Sequence, residues 1–163
     1  MREFNDCVNL TVKYLQSYNQ LIVAKQNLEQ IVKDMGQEQV APPIARYGEN
    51  PGGGTPELNT VEAATSRIIS NAKREDSIRQ DISRIASLLG RLDRSISTLE
   101  PEERNLVEGA YILGKTWRAI STENYISEKW AREKTRGAVK KIARMMFGIG
   151  GVPLDGGNFI FIR

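Results

Sequence analysis

Between Lys129 and Arg144 the chain places seven basic residues, Lys129, Arg132, Lys134, Arg136, Lys140, Lys141 and Arg144, against one acid, Glu133. Five of them, Lys129, Arg132, Arg136, Lys140 and Arg144, recur at three, four, four and four. That spacing puts them along one stripe of a helix. Ala131, Ala138, Ile142 and Met145 recur at seven, four and three and supply an adjoining apolar face for packing. A helix with one packing face and one basic face suits the ~12 Å major groove of duplex DNA, where arginine or lysine can donate to guanine and to phosphate. The competing reading is a solvated basic face.

Other chemistry is poorly provided for. The chain has no histidine, which removes the commonest general base at neutral pH and the commonest metal ligand. Its single cysteine, Cys7, can form neither an intrachain disulfide nor a thiolate metal site, and reads as a small apolar residue on a helix face. The acids are scattered or paired with bases, without calcium-loop spacing. We therefore expect no enzyme, no catalytic residue, no metal and no cofactor. The net charge of +3 is modest, so its distribution matters more than its total. Residues 1–54 and 55–99 are close to neutral, and the excess lies in residues 100–163.

At 163 residues, 40% hydrophobic and 26% charged, the chain can hold one ordinary domain or a small head with an extended arm. No apolar run approaches the ~20 residues of a membrane span, and the N-terminus lacks signal-peptide character. The expected location is cytoplasmic, with no membrane partner.

The elements that must carry the basic stripe can be read along the chain. Phe4, Cys7, Tyr14, Tyr18, Leu21, Leu28, Val32 and Met35 keep a three-and-four spacing, with Thr11 and Lys25 filling the gaps. This predicts an amphipathic helical arm over 1–35, about 50 Å long. Residues 36–54, with Pro42-Pro43 and Asn50-Pro51-Gly52-Gly53-Gly54, read as a flexible loop. Thr55-Pro56-Glu57 restarts a helix, expected over 55–98. Ile78, Ile82, Ile85, Leu89, Leu92, Ile96 and Leu99 fill seven successive seam positions, continued more weakly through Val61, Ile68 and Ala72. The two patterned stretches suit an antiparallel hairpin within one chain, or a coiled coil between chains and thus a homo-oligomer. An ordinary bundle core is equally compatible.

Pro101 ends the long helix and opens another carrying Leu106, Val107, Ala110, Tyr111 and Leu113, which Gly114 should stop. Thr116 can cap a short helix from Trp117 to about Glu123 that buries Trp117 and Ile120. Asn124 is expected to take the left-handed turn that follows, and Ser127 to cap a last helix reaching about Phe147. Trp130 falls at the edge of the packing face, between core and a partner surface. The fold class is thus all-α, a long N-terminal helical hairpin or coiled-coil arm followed by a three-helix helix-turn-helix domain over 99–147. Residues 148–163 read as a glycine-rich linker and a short, apolar, β-prone tail that should dock on a surface.

Leu99-Glu100-Pro101-Glu102-Glu103-Arg104, Tyr111, Gly114-Lys115-Thr116-Trp117-Arg118-Ala119-Ile120, Ser127 and Gly137-Ala138-Val139-Lys140-Lys141-Ile142 resemble region four of bacterial sigma factors. They are similar, more closely, to phage late-gene transcriptional regulators of the RinA and ArpU type. The resemblance covers about residues 99–147. It implies a sequence-specific transcription regulator, an activator of phage late genes that binds promoter DNA, contacts bacterial RNA polymerase and is nucleoid-associated in the host cell. It also implies a DNA-binding set of Thr116, Arg118, Ser127, Glu128, Lys129, Arg132, Glu133, Arg136 and Lys140. In that set Glu128, Lys129, Arg132 and Glu133 face bases, while Arg136 and Lys140 approach phosphates. Two positions differ from the pattern: Asn124-Tyr125 stands at the turn in place of a small residue and an apolar one, and Lys134 stands where an apolar core residue is usual. Two other functions share these features, a small-terminase-like DNA-recognition subunit for genome packaging and a coiled-coil adaptor whose basic helix binds an acidic protein.

Overall fold

The computed structural model describes residues 2–40 and 57–148, and within them the fold is all-α, with no strand. The helices are α1 (Arg2–Gln16), α2 (Tyr18–Val40), α3 (Glu57–Ser97), α4 (Pro101–Val107, wound on as a π-helical turn over Glu108–Ile112), α5 (Trp117–Asn124) and α6 (Glu128–Phe147). They divide into two compact units, one holding the described residues of 1–22 and 87–148, the other the described residues of 23–86.

In the first unit, α1, α4 and α5 all pack on α6. Leu106, Ile120 and Ala131 form a buried cluster from α4, α5 and α6, flanked by the partly buried Ala110, Trp117 and Ile126. Farther along α6, Ala138, Val139, Ile142, Ala143, Met146 and Phe147 are buried. Burying a side chain of the Leu or Ile class is worth ~1.5–3 kcal/mol, so this unit has a core sufficient to hold α6 in one orientation. Cys7, Thr11, Tyr14 and Leu15 give α1 a buried face wider than a coiled-coil seam. Thr11 is tolerated at 0% exposure because its hydroxyl donates to the Cys7 carbonyl at 2.8 Å. Thr135, also fully buried, donates to the Ala131 carbonyl at 2.7 Å.

Expected boundaries shift in three places. The first helix does not stop at Met35. Backbone bonding continues through Ser17, from Ser17 N to the Lys13 carbonyl at 3.0 Å and from Leu21 N to the Ser17 carbonyl at 2.9 Å, and α2 reaches Val40. Gly36 does not end it, since an interior glycine disfavours a helix by only ~1 kcal/mol relative to alanine. The rest of the expected loop, together with Thr55-Pro56 and the apolar tail, lies outside the described residues.

At the second place, Leu113 N bonds back five residues to the Glu108 carbonyl at 2.8 Å, the wider π winding, before Gly114 turns the chain at φ +63°. At the third, Tyr125 rather than Asn124 takes the left-handed conformation, at φ 54° and ψ 41°. The Asn124 carboxamide instead donates to the Ile120 carbonyl at 2.8 Å, which holds that residue in the last turn of α5.

The seam of α3 grades along its length. Leu89, Leu92, Ile96 and Leu99 are buried, Ile78, Ile82 and Ile85 are half-buried, and Ile68 is 66% exposed. In the second unit, Lys25–Glu29, Glu75–Arg79 and Asp81–Arg84 form ion pairs at helical spacing. Each such pair adds ~0.2–0.5 kcal/mol of local support.

Candidate nucleic-acid interface

Capping chemistry sets the start of both helices that carry the expected contacts. The Thr116 hydroxyl accepts from Ala119 N and the Ser127 hydroxyl from Trp130 N, both at 3.2 Å. Between them, the amides of Tyr125 and Ile126 return to the carbonyls of Thr122 and Ser121 at 3.4 and 3.0 Å and close a tight turn. Tyr125, in a conformation L-residues disfavour by ~1–2 kcal/mol, stands 96% exposed at this turn.

All nine residues of the expected set, Thr116, Arg118, Ser127, Glu128, Lys129, Arg132, Glu133, Arg136 and Lys140, are exposed. Arg144, at the far end of the stripe, is exposed as well, with its guanidinium 5.5 Å from the centre of the Phe4 ring. Ion pairing divides the seven cations of α6. Lys134 lies 3.8 Å from Glu102, and Lys141 reaches Glu103 at 2.7 Å, so these two are spent on α4. Arg132 pairs with Glu128 of its own helix at 3.0 Å. Lys129, Arg136, Lys140 and Arg144 have no ion-pair partner among the described residues. The cations balanced by α4 lie off the stripe, and those left uncompensated lie on it. With four like charges on one exposed side, the local field is positive despite the small net charge.

Packing corrects one expected face residue. Met145 is 43% exposed, and its neighbour Met146 is buried instead. On α6, which packs against α1, Val139, Ala143 and Met146 are the buried residues of this stretch. Lys134, standing where an apolar residue is usual, places its ammonium 5.4 Å from the centre of the Trp130 ring, and that ring is 38% exposed. Trp117 is only half-buried, with the Arg132 guanidinium 5.6 Å above its ring. Both contacts fall within cation–π range.

Sequence reasoning assigned nothing here to α1. A groove of about 610 Å³ is lined by Asn5, Val8, Asn9 and Val12 on one side and by Arg132, Arg136 and Lys140 on the other, with Tyr111 and Trp117. The Tyr111 hydroxyl is pushed up by burial, opposed by the neighbouring positive charge of Arg136. No signal in residues 1–20 marks this neighbour, because the same three-and-four spacing would serve any helical partner. Gly137 is exposed in the middle of α6, with open space where a side chain would stand. No packing demand among the described residues calls for glycine there.

Among the described residues no group of three or more histidine, cysteine or acidic side chains could hold a metal ion, and no helix is long and apolar enough to cross a membrane. Compared with family models, with curated proteins and with solved structures, the chain matches none of them.

Proposed function

We propose that this chain is a sequence-specific duplex-DNA-binding protein in which α5 and α6 act as a helix-turn-helix and α6 enters the major groove. The observation that carries the reading is the exposed stripe of α6, where Lys129, Arg136, Lys140 and Arg144 keep their charge uncompensated among the described residues while Lys134 and Lys141 are neutralised by α4. A stripe of fixed, solvated cations is what phosphate neutralisation needs. Glu128, Lys129, Arg132 and Glu133, at the N-terminal end of α6, carry the donors and acceptors suited to base edges. Gly137 adds support, since a helix surface without a side chain lets a partner approach the backbone closely.

In this reading α1 belongs to the DNA-binding head, and α2 beyond Ile22 with the N-terminal part of α3 forms a hairpin or coiled-coil arm that sets oligomeric state. The likeness to phage late-gene regulators adds the biological role, activation of transcription through contact with RNA polymerase. Repeated selection of bound duplexes from a random-sequence pool tests the reading. Enrichment of one consensus motif is the expected outcome, and a final pool as random as the first would contradict it.

A further inference from the structure

Resting on the DNA-binding reading, we infer that the groove between α1 and α6 is a two-sided cradle for the sugar–phosphate backbone of one DNA strand, with α1 as its second wall. On the α6 side stand Arg136 and Lys140, both exposed and without an ion-pair partner among the described residues. On the α1 side, Asn5 and Asn9 stand one helical turn apart, with Val8 and Val12 between and beyond them. No carboxylate among the described residues lines the groove.

The chemistry of the two walls differs in a way that fits one ligand. The cations neutralise phosphate charge. The carboxamides are neutral donors that can bond phosphate oxygens without adding to the charge count, and the valine methyls suit the apolar edge of deoxyribose. Asn5 and Asn9 are exposed and Val8 and Val12 half-buried, so α1 fixes the walls in place without filling the groove. A base-reading role is disfavoured by the same pattern, because base edges are read by projecting side chains and here the donors alternate with short apolar ones on a wall.

The test is the affinity of the full chain for its selected duplex, measured across a salt series. Asn5→Ala with Asn9→Ala should weaken binding about tenfold, the loss expected for two modest hydrogen bonds, with the slope of log affinity against log salt unchanged. Asn9→Lys should tighten binding and steepen that slope by about 0.9. The substituted sites are exposed, and helical circular dichroism checks that each variant is folded. Wild-type affinity in the double alanine variant, or an unchanged slope in Asn9→Lys, overturns the cradle while leaving the DNA-binding reading standing. No duplex binding by the wild type at any salt overturns both. Saturable shifts of the Asn5 and Asn9 side-chain amide signals with inorganic phosphate alone, at matched ionic strength, would mark a free-anion site and also overturn the cradle.

Discussion

The ammonium of Lys141 on α6 bonds both carboxylate oxygens of Glu103 on α4, at 2.7 and 2.9 Å. Glu103 keeps only 6% of its side chain exposed, whereas Lys141 keeps 53%. The pair adds a polar tie between α4 and α6 to the core they share, and that packing sets which way Lys129, Arg136 and Lys140 point.

Lys141→Met should therefore leave Glu103 buried without a charge partner and lower unfolding free energy by about 2–3 kcal/mol in urea. Replacing both, Glu103→Leu with Lys141→Met, should recover most of the loss, since no buried carboxylate is then left without a partner. An unchanged urea midpoint in Lys141→Met would show that the pair contributes nothing to holding α6.

Gly137 separates stability from binding. Gly137→Ala should stabilise the protein by about 1 kcal/mol, because an interior helical glycine is replaced where nothing obstructs a methyl group. Gly137→Leu should remain folded and helical yet bind duplex DNA at least tenfold more weakly. Equal affinity of Gly137→Leu and wild type would mean that no partner approaches α6 at this point.

Ser127→Ala removes the acceptor for Trp130 N and should cost about 1 kcal/mol, as loss of a helix N-cap does. Faster amide exchange should be confined to the first turn of α6, where Glu128 and Lys129 lie. Uniformly faster exchange throughout α6 would place the effect elsewhere.

Tyr18 donates its hydroxyl to Asp93 Oδ1 at 2.6 Å, and this bond, with burial adding to it, pushes the phenol from 10.0 up to about 12. The folded value lies above the unfolded one, so the stabilisation is complete below pH 10 and is lost as pH rises from 10 to about 12. Wild type should thus lose stability across that window relative to Tyr18→Phe. Parallel stability curves for the two proteins would contradict the assignment.

Local chemistry was legible before the fold was. Thr116 and Ser127 announce helix starts by type and position, because an N-cap depends only on the next three residues. The stripe from Lys129 to Arg144 was legible because helical periodicity is fixed by geometry. The packing of α1 on α6 was not, since the three-and-four spacing of Cys7, Thr11 and Tyr14 is the same for a coiled-coil partner and for a globular one. Leu15, just off that register, is nonetheless fully buried. The π winding after Val107 and the choice of Tyr125 over Asn124 at the turn escape sequence reasoning for another reason. At the turn, the bond of the Asn124 carboxamide to the Ile120 carbonyl keeps that residue helical, an outcome that residue type leaves open because asparagine suits both conformations.

That the cations along the exposed stripe of α6 meet DNA phosphates and bases is checked by a single comparison. Affinity for the selected duplex is measured against salt for wild type and for Arg132→Ala with Arg136→Ala. The variant should lose specific binding, with a log–log slope shallower by about 0.9 for each phosphate contact removed and unaltered helical content. A double variant that binds the duplex with wild-type affinity and slope would contradict that contact.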